Sequence, residues 1–75
     1  MQRIAVESTL LAWARYSADE RILELGFRSG SVYAYRDVPP QAYQDLLCAE
    51  SKGRYFNLHI RNDFDVLPVR TFSAR

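Results

Sequence analysis

Seventy-five residues with ten Arg or Lys against nine Asp or Glu leave a net charge of +1, which excludes a binder that works through a strong overall basic field. The length allows one domain, and a chain this short buries only about 60% of its unfolded surface, so its core is thin. Hydrophobic residues make up 48% and charged residues 25%, the balance of a folded domain and the wrong one for a disordered chain.

Five Tyr, four Phe and one Trp supply large apolar area per residue. Nine of the ten cations are Arg, which suits planar recognition of carboxylate or phosphate; a GC-rich coding sequence would give the same bias. The single Cys48 rules out an intramolecular disulfide and points away from an extracellular, stapled domain. No apolar run approaches the ~18 residues of a membrane span, and Met1-Gln2-Arg3-Ile4-Ala5 lacks the apolar core of a signal peptide. A cytoplasmic protein without membrane contact is expected.

Residues 1–7 carry little signal. In 8–17, Leu11, Trp13 and Arg15 alternate with Leu10, Ala12, Ala14 and Tyr16. Both sets are partly apolar, so the period fits strand and helix alike, and Leu and Ala favour helix in isolation. The hairpin that follows would be marginal as two strands alone, so 8–17 reads as a strand. No single alternation covers Leu11 and Tyr16 together, which points to a bulge within it. After a polar turn at 17–21, Leu23, Leu25 and Phe27 share one face and Ile22, Glu24 and Gly26 the other. Arg28-Ser29-Gly30 fits a three-residue loop with a left-handed glycine. That loop pairs Leu25 with Tyr33 and Leu23 with Tyr35, placing both tyrosines beside the leucines. A two-residue loop at Ser29-Gly30 would turn them to the opposite face; the loop chemistry favours the first register.

Pro39-Pro40 ends the sheet pattern and suits a helix first turn. A helix is expected over 40–49, with Tyr43, Leu46 and Leu47 as its apolar stripe. Ser51 is a good N-cap for a second helix over 52–62, where Phe56, Ile60 and Phe64 stand at i, i+4 and i+8. Gly53 in that first turn costs up to ~1 kcal/mol, which hints that the backbone there approaches either the preceding helix or a ligand. The expected fold is α+β: a three-stranded antiparallel β-meander followed by two short α-helices packed on one face. The domain spans 8–64, and 65–75 is a C-terminal tail, either a short extended segment on the domain or loose, partly disordered chain.

His59 and Cys48 are each the sole residue of their type, so one chain holds no four-ligand zinc site. They sit on different expected helices, and Cys48 reads as a small apolar filler. Glu24, Asp37, Asp45, Glu50, Asp63 and Asp65 show no acid–base pairing, and no phosphate loop is present. The expectation is a protein that is not an enzyme and takes no cofactor or metal. Lys52, Arg54 and Arg61 fall in an acid-free stretch interleaved with Tyr55 and Asn57. A helix start at Ser51 would add free N–H groups, a combination suited to phosphate, and exposed tyrosines nearby could stack bases. The plain alternative is a solvated helix face, with Tyr33 and Tyr35 in the core and their hydroxyls at the rim.

The order Ser8, Tyr16, Leu23-x-Leu25-x-Phe27, Gly30, Tyr33-x-Tyr35, Val38-Pro39, Tyr43, Leu46, Ala49, Ser51-x-Gly53-x-Tyr55-Phe56-Asn57 and Ile60-Arg61 resembles the KTSC domain. That family takes its name from a segment at the C-terminus of some lysyl-tRNA synthetases, and it also occurs as short stand-alone bacterial and phage proteins. Its function is not established; the synthetase connection implies RNA binding. The chain departs from the family pattern at Arg15, where a glycine commonly precedes the tyrosine, and at Trp13. Together these readings name Tyr33, Tyr35, Ser51, Lys52, Arg54, Tyr55, Asn57 and Arg61 as nucleic-acid-binding candidates, with RNA or another nucleic acid as partner. The alternative is a protein-interaction or structural module, self-associating through an exposed edge of the meander.

Overall fold

The computed structural model describes residues 3–6 and 8–71. Five strands lie in chain order across one antiparallel sheet: β1 (Ile4–Ala5), β2 (Leu11–Ser17), β3 (Ile22–Phe27), β4 (Ser31–Tyr35) and β5 (Val66–Thr71). The expected three strands form its centre; the correction is one further strand on each edge. β1 pairs only Ile4 with Ala14 and Ala5 with Trp13, and two residues are too few to show an alternation. β5 pairs Val66 with Tyr35, Leu67 with Ala34 and Pro68 with Tyr33. Its proline hides it from a strand reading, yet proline is at home on an edge strand. Of the expected tail, 66–71 is thus strand, and 72–75 lie outside the described residues.

The central register follows from turn chemistry. Gly30 has φ 103° and its N–H donates to the Phe27 carbonyl at 2.9 Å, closing the three-residue loop around a left-handed glycine. Leu23 then faces Tyr35 and Leu25 faces Tyr33. In β2 the pairing slips by one between Leu11 and Trp13, so Ala12 is the extra residue of a bulge. That slip lets Leu11, Ala14 and Tyr16 all be buried, which strict alternation forbids.

Two helical segments cover this buried face. α1 (Pro40–Cys48) opens with proline in its first turn and buries Leu46, with Ala42, Tyr43 and Leu47 packed around it. Cys48 is an exposed free thiol, not the core filler expected, because it lies off the stripe led by Leu46. α2 (Lys52–Tyr55) runs on into a π-helical turn, Phe56–Ile60, so the second helix stops short of the expected residue 62. Ser51 caps it, accepting the Arg54 N–H at 3.3 Å. A Cβ on Gly53 would stand 3.3 Å from Leu10 Cβ and 3.4 Å from Ser8 Oγ. The close approach is therefore to the turn before β2, where Ser8 Oγ accepts from the N–H groups of Leu10 and Leu11.

The core lies between the helices and the sheet. Leu11, Leu23, Leu25, Val38, Leu46 and Ile60 are fully buried. Tyr16 stacks on Tyr43 with ring centroids 4.8 Å apart, and its hydroxyl donates to the Val38 carbonyl at 2.6 Å. The Val38 N–H in turn donates to the Arg21 carbonyl at 2.9 Å. This fixes the crossing from β4 into α1 against the β2–β3 turn.

Candidate nucleic-acid interface

The hairpin register decides where the tyrosines point. Tyr33 and Tyr35 share the helix-covered face, where Tyr35 is buried and Tyr33 half-buried. Phe27 meets Tyr33 edge-on at 5.7 Å and Phe56 at 5.3 Å, and Tyr35 meets Phe56 at 5.6 Å. These edge-to-face contacts build a continuous aromatic wall. Burial raises the Tyr35 hydroxyl above the ordinary tyrosine value, neighbouring Tyr33 adds to this, and Arg61 pulls it back. An open stacking platform made of both tyrosines is therefore absent: only Tyr33 offers ring surface to solvent.

Beyond the wall lies a groove of about 580 Å³. Phe27, Tyr33 and Phe56 line its apolar side, and Asn57, Arg61 and Asn62 stand at its rim. The π-helical turn positions the rim. The Arg61 N–H reaches back five residues to the Phe56 carbonyl at 2.8 Å, so Phe56 and Ile60 point inward while Asn57 and Arg61 stay exposed. π-turns of this kind are frequent at functional sites. Arg61 is thus a cation beside a partly open aromatic surface, with amide side chains on either side.

Four of the sequence candidates, Tyr33, Tyr35, Asn57 and Arg61, meet in this groove. The other four do not join them. Ser51, Arg54 and Tyr55 line a separate, shallower hollow of about 220 Å³, where the Tyr55 ring lies tilted against His59 with centroids 4.7 Å apart. Burial raises the Tyr55 hydroxyl, and the Asp45 carboxylate adds to the effect. Lys52 is engaged within the protein: its Nζ donates to the Ala49 carbonyl at 3.1 Å, completing the end of α1. With Ser51 Oγ occupied in capping, the expected phosphate corner of Ser51, Lys52 and Arg54 has two of its groups engaged within the protein. Sequence reasoning missed Leu10, Phe27, Phe56, Asn62 and Val66 as groove residues. Val66 is placed by β5, the extended alternative for the tail, whose pairing partner the sequence did not give; Asn62 directly follows Arg61 and was within reach of the motif.

Among the described residues no three of His, Cys, Asp or Glu gather as metal ligands, and no helix is long and apolar enough to cross a membrane.

A meander of five antiparallel strands with two short helices on one face defines a small α+β domain. The sequence matches the KTSC domain over residues 7–64, and the chain belongs to that family. The crystal structure of a KTSC domain protein from Yersinia pestis superposes with a TM-score of 0.89 at 36% identity, covering 92% of this chain and 97% of that one. An uncharacterised protein from Stutzerimonas stutzeri is 46% identical over 57 residues, 76% of this chain and 80% of its own. A lysine–tRNA ligase from Nostoc punctiforme is 40% identical over 58 residues, which are 77% of this chain and 10% of the ligase.

Proposed function

We propose that this KTSC domain is a small RNA-binding module that takes single-stranded RNA in the groove between β4 and the π-helical turn. The observation that carries the reading is the meeting of Tyr33, Asn57 and Arg61 around one groove, a stacking ring beside amide and guanidinium donors, which are the groups that read unpaired bases and hold phosphate. Its volume, about 580 Å³, lies within the range of ligand pockets. The likeness to a segment of a lysine–tRNA ligase supports it, because that enzyme works on RNA. In this reading the domain binds without catalysing and needs no cofactor.

The test is an amide spectrum titrated with single-stranded and with structured RNA at low salt. Signals of Tyr33, Asn57, Arg61 and Asn62 should move, and Arg61→Ala should suppress the movement. With one or two phosphates contacted, log K should fall with log salt at a slope of about −0.7 to −1.4. An unchanged spectrum at these residues sinks the proposal.

A protein-binding or self-associating module is the second reading, and one observation favours it. Val66, Leu67 and Val69 on β5 are 42%, 50% and 47% exposed. The meander edges expected to be free are covered by β1 and β5, and Pro68 brings no N–H to the new edge. Sedimentation that depends on concentration without nucleic acid would favour this reading over the first.

A further inference from the structure

The sheet face away from the helices holds an aromatic ring that the fold's core does not use. Among the described aromatic residues, Trp13 alone stands outside the core cluster. Its indole lies against Gly26 on β3, so close that a Cβ there would fall 2.1 Å from the ring. One side of the ring is thereby backed by β3 backbone, as a large ring covers a strand glycine. Over the indole stands the Arg3 guanidinium, its central carbon 4.1 Å from the ring centroid, a cation–π pair. The groove beside them is about 360 Å³ and carries Arg3, Arg15 and Glu24 as its charged residues. Glu24 is engaged by Arg15 at 3.6 Å, so the charge balance of the groove is two cations to one paired anion.

We propose that this open face carries a second binding site, a slot between the Trp13 indole and the Arg3 guanidinium that takes a nucleotide, its base stacked on the indole and its phosphate held by Arg3. The ring backed by Gly26 offers a flat surface of fixed tilt, and base stacking on such a ring tolerates any base. A guanidinium covers a planar ring and grips phosphate through paired N–H groups. Arg3 is exposed and directly precedes the two-residue strand β1, so its long side chain can lift to admit the base and close over it. The site is on the opposite face from the Tyr33–Arg61 groove and does not depend on it.

The chain's one tryptophan reports on this slot directly. The intact protein is titrated with adenosine monophosphate, with a single-stranded oligoadenylate and with inorganic phosphate, following indole emission and the Trp13 and Gly26 amide signals. Saturable quenching by the nucleotide, with both amides moving, is expected, and Arg3→Ala should weaken it about two- to fivefold. Tighter binding of the oligomer marks a nucleotide within a strand as the ligand; equal binding marks the free nucleotide. Arg61→Ala should leave the quenching unchanged, so failure on either face is distinguishable from failure on the other. The proposal is overturned by absence of saturable quenching, by equal quenching with phosphate alone, by indifference to Arg3→Ala, or by loss of quenching in Arg61→Ala.

Discussion

At Gly26 a methyl group has nowhere to go. The indole atoms of Trp13 occupy the place a Cβ would take, at 2.1 Å, and the residue is itself buried. Gly26→Ala must push the ring off the sheet, and crowding of this kind costs about 1–3 kcal/mol. The cost should appear in urea unfolding as a lower midpoint at an unchanged slope. Because the clash is with one side chain, Trp13→Ala should cost less in the Gly26→Ala background than in the parent. A double-mutant cycle measures that coupling, and strict additivity would show that the strain lies in the β3 backbone instead.

Among the elements, the central hairpin was legible because two independent signals agreed. Leu23, Leu25 and Phe27 set the buried face, and Gly30 in third place set the register that keeps Tyr33 and Tyr35 on it. The bulge at Ala12 was legible for a related reason: Leu11 and Tyr16 cannot otherwise share a face. β1 was hidden because Ile4–Ala5 is shorter than any period, and β5 because its pairing is a tertiary event that Pro68 disguises. The π-helical turn was hidden too, since Phe56 and Ile60 show the same spacing in an α-helix. Half the site followed from motif spacing; its split into two hollows followed from Lys52 and Ser51 serving helix ends, which composition does not reveal. The link from β4 to α1 gives this scale its own test. Tyr16 holds the buried Val38 carbonyl at 2.6 Å, and Tyr16→Phe keeps the ring stack on Tyr43 while leaving that carbonyl without the bond. Losing such a partner costs about 1–3 kcal/mol, and each kcal/mol lowers Tm by about 4–8 °C in a domain of this size. A Tm within 1–2 °C of the parent, roughly a quarter of one kcal/mol on that scale, would show that the crossing is held by packing alone.

For the molecule as a whole, the fully buried centre is aliphatic, and aromatic rings, several of them tyrosines, pack around it. The radius of gyration is 11.4 Å, about that of a packed domain of this length, and several tyrosine rings lie buried or half-buried against the core. This makes the fold sensitive to alkali. Burial raises the hydroxyls of Tyr35 and Tyr43 above the ordinary value of 10.0. A phenol is neutral when protonated, and a raised value means that the folded protein holds these protons more tightly than the unfolded chain does. Below the unfolded value both states are protonated and their stabilising contribution is complete. As pH rises past it, the unfolded chain ionises first and stability falls until the folded protein ionises too. Tm should therefore hold level through the neutral range with respect to these groups and decline from about pH 10 upward. Tyr35→Phe removes one of these raised phenols and should make the decline shallower, while lowering Tm little at neutral pH. Thermal melts of both proteins across that range read the difference, and parallel alkaline limbs would show that other groups, not the buried tyrosine, set the limit.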